Sequence, residues 1–199
     1  MEHLKTLSAV VTAAIALIAF APPGIASATE LYSGATTLKA GTEVVASPGG
    51  SVSFITTEGI TWDTCGGAGF KGKLSNTGGS TETVKLEIGA SDFTWTNCTH
   101  PQATLAGGSM EIHYISGTST GTVTAAGFEF TMQTATVGSC VFTFGAGTHL
   151  GTLTGSTAGN AVIHMNAVMT RKTGLCPSSM RWAGTFTVTS PKPLHVTAS

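Results

Sequence analysis

Charge is what this sequence has least of: Lys and Arg together number 9 and Asp and Glu 10 in 199 residues, a net charge of −1. So nearly neutral a chain has no overall field with which to hold a phosphate backbone, and nucleic acid is not an expected partner. Asp63 and Asp92 are the only aspartates. Paired carboxylates for glycosidic cleavage are correspondingly hard to assemble, and Asp-x-Asp-x-Asp calcium loops are absent. Helix-period apolar patterns are nearly missing. Cys-x-x-Cys spacing is missing too, and no His stands at ligand spacing from a Cys, which argues against zinc; no metal or cofactor is expected.

What is present begins at the amino end. A weakly basic start, Met1-Glu2-His3-Leu4-Lys5, leads into the apolar run Ala9–Phe20, a Pro22-Pro23-Gly24 break and the small-x-small sequence Ala26-Ser27-Ala28. These are the parts of a cleaved export signal. The competing reading is a membrane anchor, but the run is shorter than the ~20 residues that span a bilayer and has no basic stop-transfer flank. Residues 1–28 are therefore expected to be a signal peptide and 29–199 a single extracellular or cell-envelope domain, with no membrane span after cleavage.

Cysteine usage fits that compartment. Cys65, Cys98, Cys140 and Cys176 are an even set in an exported chain, which favours two disulfides. Three connectivities are possible. Cys65–Cys98 with Cys140–Cys176 is favoured because it closes two separate loops of moderate length.

Along residues 29–199 the dominant pattern is alternation in short Thr-, Val-, Ile- and Phe-rich segments separated by Gly, Ser or Asn-Thr-Gly-Gly turns. Met110, Ile112 and Tyr114 share one face while Glu111 and His113 share the other. Ile163, Met165, Ala167 and Met169 alternate with His164, Asn166 and Val168, and Trp182, Phe186 and Val188 alternate with Thr185 and Thr187. The pattern predicts an all-β fold, an antiparallel β-sandwich or flattened barrel of roughly nine to eleven short strands. A small outer-membrane barrel is the competing architecture. It needs longer strands with aromatic girdles at both ends, and aromatics are only 7% of this chain.

Four constellations could carry chemistry. Gly117-Thr118-Ser119-Thr120-Gly121 matches the Gly-x-Ser-x-Gly nucleophile elbow, and Glu129 with His149, His164 or His195 would complete a triad. The elbow requires a strand turning into a helix, whereas Thr122-Val123-Thr124 reads as another strand. Glu111, His113, Glu129 and His164 could meet across a sheet as a metal or acid–base cluster, although i, i+2 placement on an outer face is also ordinary surface. Glu58, Glu82 and Glu87 complete the candidates for a glutamate-based hydrolase, and no pair stands out. Finally, Trp62-Asp63-Thr64-Cys65 and Trp95-Thr96-Asn97-Cys98 both carry Trp three residues before Cys. If those cysteines bridge, Trp62 and Trp95 would stack on a sugar ring, with Asp63 and Asn97 bonding its hydroxyls. The alternative packs both tryptophans over the disulfide in the core.

Leu105–His113, Gly151-Thr152-Leu153-Thr154-Gly155, Leu175-Cys176-Pro177-Ser178 and Thr187–Leu194 together resemble a group of uncharacterised secreted, Thr/Gly-rich β-proteins of soil actinobacteria. The resemblance implies export, a bacterial source and an all-β fold, and implies no catalytic residue. The sequence thus points to a secreted or envelope binding or structural module, not an enzyme. Its expected partners are a cell-surface glycan, or further copies of itself joined through strand edges. A secreted hydrolase using Ser119 or a glutamate pair is the main alternative.

Overall fold

The computed structural model describes residues 28–100, 103–134 and 138–199. The expected signal peptide lies outside the described residues except for Ala28. The first strands are β1 (Thr29–Ser33), β2 (Thr36–Thr37), β3 (Glu43–Pro48), β4 (Val52–Thr56) and the long β5 (Thr61–Leu74). Then come β6 (Gly78–Gly79), β7 (Val84–Ile88), a 3-10 turn at Ala90–Asp92, β8 (Phe93–Cys98), β9 (Ala103–Leu105) and β10 (Gly108–Tyr114). The remainder is β11 (Thr120–Ala125), β12 (Phe128–Thr134), β13 (Gly138–Phe144), β14 (His149–Thr154), β15 (Val162–Thr173), β16 (Ser179–Ser190) and β17 (His195–Thr197).

The antiparallel pairings close on themselves. β3 pairs with β5, β5 with β7, β7 with β10 and β10 with β11. β11 pairs with β14, β14 with β15, β15 with β16, and β16 returns to β3. Of the two expected architectures, the barrel is the one formed: an up-and-down meander closed on itself.

The other strands prolong this ring past breaks at mid-height. β4 continues β3 between β16 and β5, and β8 continues β7 along β5. β9 and β12 continue β10 and β11 and pair with each other, while β13 continues β14 between β12 and β15. These interruptions add five segments to the eight barrel strands, and the short strands β1, β2, β6 and β17 form a separate sheet, so the described residues hold 17 strand segments where nine to eleven were expected. Backbone groups freed at the breaks still find partners, as in Ala126 N–H to Ser109 carbonyl and Ala106 N–H to Glu129 carbonyl, both 2.8 Å. Gly127 takes up one break with φ 89°, a conformation that any Cβ would oppose.

The two ends differ. Above, a small sheet of β17, β1, β2 and β6 caps the barrel, burying Leu31, Leu38, Leu194 and Val196. Below, among the described residues, β8 pairs with β5 alone and β9 with β12 alone, and no ladder joins β8 to β9. Both disulfides lie toward this lower end, with the expected connectivity: Cys65–Cys98 joins β5 to β8, and Cys140–Cys176 joins β13 to the β15–β16 turn.

Alternation assigns the faces as the sequence suggests. Ile163, Met165, Ala167 and Met169 of β15 are buried, while His164, Asn166, Val168 and Thr170 face outward. The interior is solid: Trp182 is 1% exposed and its ring lies 5.2–6.3 Å from those of Phe130, Phe144, Phe186, Phe93 and Trp95. Outside, Lys71, Lys73, Lys85, Glu87, His164 and Arg181 occupy strand positions that a lipid-facing barrel would fill with apolar residues. Among the described residues no helix is long and apolar enough to cross a membrane.

Candidate functional site

A small eight-strand barrel either fills its interior with side chains or leaves room for one ligand. Here large side chains such as Trp182, Phe54, Phe130, Phe142, Phe144 and Phe186 are buried in the interior.

The Cys65–Cys98 bridge forms, but it does not bring the two tryptophans together. Cys65 and Cys98 are partners in an antiparallel pair, so moving three residues back from each leads in opposite directions; Trp95 sits opposite Ala68, six positions along β5 from Trp62. At ~3.3 Å per residue the two are about 20 Å apart. Both tryptophans are half-buried against the core: Trp95 lies 4.7 Å from Phe93 and 5.4 Å from Phe54 between ring centres, and Trp62 packs at the lower rim. Asp63 is 3% exposed and its Oδ1 accepts from Thr64 N–H at 2.8 Å, His100 N–H at 3.1 Å and the Thr99 hydroxyl. It fastens the chain leaving β8 to the start of β5. Asn97 is exposed with φ 51°, against Gly66. The four residues surround a structural clasp and share no open platform.

The catalytic candidates are scattered by the same register. Ser119 donates to the Gly155 carbonyl at 3.3 Å in the upper β10–β11 turn. Glu129 stands on the lower continuation of that barrel strand, paired at 2.8 Å with Lys172. Ten residues of extended chain separate them, about 30 Å. Ser119 should therefore not react with a serine-directed phosphonate probe; stoichiometric labelling there, located by peptide mass spectrometry, would restore the hydrolase reading.

Glu111 does approach His113, at 3.9 Å, but it is also held by Lys85 at 3.1 Å, and His113 Nε2 lies 3.0 Å from Thr124 Oγ1. His164 is three strands further round, since His113 faces Thr122, Thr122 faces Thr152 and Thr152 faces His164. At ~4.8 Å per strand that is about 14 Å, too far to share an ion. Asp63, Cys65 and Cys98 cluster closely, but both sulfurs are in a disulfide and offer no thiolate. The exposed Glu58 carboxyl is held below its ordinary range by its own backbone N–H and the Thr56 and Thr57 hydroxyls, the opposite of what a catalytic acid needs.

A concavity on the outer wall involves residues that the sequence alone did not single out. Where β7 gives way to the 3-10 turn and β10 begins late, β5 is left uncovered and a groove of about 600 Å³ opens on the outer wall. Register aligns Glu43 with Lys73, Lys73 with Glu87, and Glu87 with Ser109 across four strands. Lys71 and Asp92 border both this groove and an adjoining one of about 320 Å³ that runs past Ser47, Ser91 and Thr94. Gly89 keeps the wall low, because a Cβ there would stand 2.6 Å from Asp92 Oδ2. Among the described residues, Glu43, Lys71, Lys73, Glu87 and Asp92 form no ion pair within 4.0 Å. The track therefore carries both signs of charge and several hydroxyls, with its charged groups free for a ligand. A sequence signal existed: Lys71-Gly72-Lys73 puts two cations on one outer strand face in a chain only 10% charged.

No protein-family model matches this chain, and neither does any curated protein or solved structure.

Proposed function

We propose that this chain is an exported, disulfide-stapled binding module, not an enzyme, and that it holds a polyhydroxylated cell-surface ligand in the groove over β5. The observation that carries the reading is the set of free charges on that groove, Lys71 and Lys73 opposite Glu43, Glu87 and Asp92, above an interior packed with large side chains. Charged donors and acceptors on an open track suit sugar hydroxyls and amides, which bond to both kinds of group. The disulfides fit an oxidising compartment, and β1 begins at Thr29, the residue that follows the expected cleavage site. The bacterial, secreted grouping suggested by the sequence resemblance belongs to the same proposal.

The test uses the oxidised protein recovered from the medium of an expressing bacterium, with an intact mass beginning at Thr29. On a glycan array it should bind a restricted set of glycans. The double variant Lys71→Gln/Lys73→Gln should bind them about tenfold more weakly or worse, the effect of losing a charge-assisted hydrogen bond. Unchanged binding would remove the groove from the proposal.

A second reading, self-association, is favoured by one observation: among the described residues β8 and β9 each form a ladder on one side only, so an uncharged strand edge, Phe93–Cys98, has no hydrogen-bonded strand on its other side. Concentration-dependent assembly in sedimentation velocity, with an empty glycan array, would select it.

A further inference from the structure

We propose a second, separate site: the wall formed by β14, β15, β16 and β4 binds an oxyanion in a depression around Arg181 and His164. The inference goes beyond the groove over β5 and does not depend on it.

The charge distribution supplies the first observation. All ten acidic residues of the chain precede residue 130, and Glu129 is the last. Strands β13 to β16 therefore contain no carboxylate, while they carry Arg171, Lys172 and Arg181. The meander turns this sequence asymmetry into a spatial one, because those strands are neighbours in the barrel wall. A protein of net charge −1 thus presents one cationic wall.

Local geometry supplies the second. Across β15 and β16, His164 faces Thr185, Asn166 faces Ala183 and Val168 faces Arg181. Ala183 contributes only a methyl group, so the surface sinks between His164 and Arg181, and a depression of about 420 Å³ forms there. Ser51 and Ser53 close it from the side of β4. Thr185 Oγ1 lies 3.3 Å from His164 Nδ1, which orients the ring and leaves Nε2 free.

The two other basic residues of this wall are already engaged, Lys172 with Glu129 at 2.8 Å and Arg171 with the Cys176 carbonyl. Among the described residues, Arg181 has no carboxylate within 4.0 Å. Every polar side chain bordering the depression can donate: a guanidinium, an imidazole, an amide and three hydroxyls. A ring of donors with no acid among them matches a carboxylate, phosphate or sulfate group, with the Arg181 fork as its anchor.

The test is a ¹⁵N–¹H NMR titration of the oxidised protein with sodium phosphate, and separately with sodium acetate, at an ionic strength held constant with sodium chloride. Saturable shifts confined to residues around His164, Asn166, Arg181 and Thr185 are expected. Phosphate alone would mark a tetrahedral anion, and acetate a carboxylate. Arg181→Gln, which changes an exposed side chain, should keep the dispersed spectrum and weaken the response about tenfold. Shifts that chloride reproduces, shifts spread over the whole surface, or a titration unchanged in Arg181→Gln would each overturn the proposal. Groove variants Lys71→Gln/Lys73→Gln should leave it intact.

Discussion

Replacing Trp182 with alanine is expected to destabilise the oxidised protein by about 3–5 kcal/mol, the largest effect of any single side-chain truncation in the barrel. Trp182 stands at the centre of the filled lower half, packed against Phe93, Trp95, Phe130, Phe144 and Phe186 from neighbouring and opposing strands. Truncation would leave a cavity bounded by aromatic rings on rigid strands, which cannot collapse into it. A single domain of this size has a total stability of ~5–15 kcal/mol, so the variant should lose a large part of its margin. Urea denaturation followed by far-UV circular dichroism measures the loss without relying on the deleted fluorophore. A change below about 1 kcal/mol, typical of surface substitutions, would show that the aromatic cluster does not set the stability of the barrel.

Eliminating both disulfides, by Cys→Ser replacement at Cys65, Cys98, Cys140 and Cys176, should have a still larger effect. The bridges close chain segments with sequence separations of 33 and 36 residues. In the loop-entropy account each such closure contributes about 3–4 kcal/mol, so the pair approaches the stability of the whole domain. The structure says where the loss should fall. The upper half is held by a continuous ring of strand pairs and a capping sheet, whereas among the described residues of the lower half no ladder joins β8 to β9, and the bridges hold β8 against β5 and β13 against the β15–β16 turn. Hydrogen exchange on a partly reduced sample should therefore show β8, β9, β12 and β13 losing protection before β10, β11 and β14. Uniform loss in both halves would mean that the bridges act only through the unfolded chain.

The sequence was a good guide wherever the information was local. Alternation is a property of neighbouring residues, and it assigned Ile163, Met165 and Met169 to the interior and His164 and Asn166 to the surface. Disulfide pairing was also readable, because two independent loops are the simplest way to connect four cysteines spread along a meander. The Trp62/Trp95 platform failed for a reason that no local pattern could reveal. Equal spacing from two bridged cysteines brings residues together only in parallel strands, and β5 and β8 are antiparallel. Ser119, Glu129 and the histidines were likewise plausible as a list, and the register distributes them around and along the barrel.

The groove and the cationic wall show the opposite relation. Their residues are ordinary in sequence, a Lys-Gly-Lys triplet, a few serines, an arginine, and a final stretch lacking Asp and Glu. They come together on the surface because β7 and β10 break at one level and because β14, β15 and β16 lie side by side. The sequence by itself determined strands, faces, disulfides and a nearly neutral polar exterior, since each follows from residue type and short-range spacing. Barrel closure, the mid-height breaks and the identity of the outward neighbours were decided only by the tertiary structure, because strand register joins residues far apart in the chain and a shift of one residue exchanges the two faces.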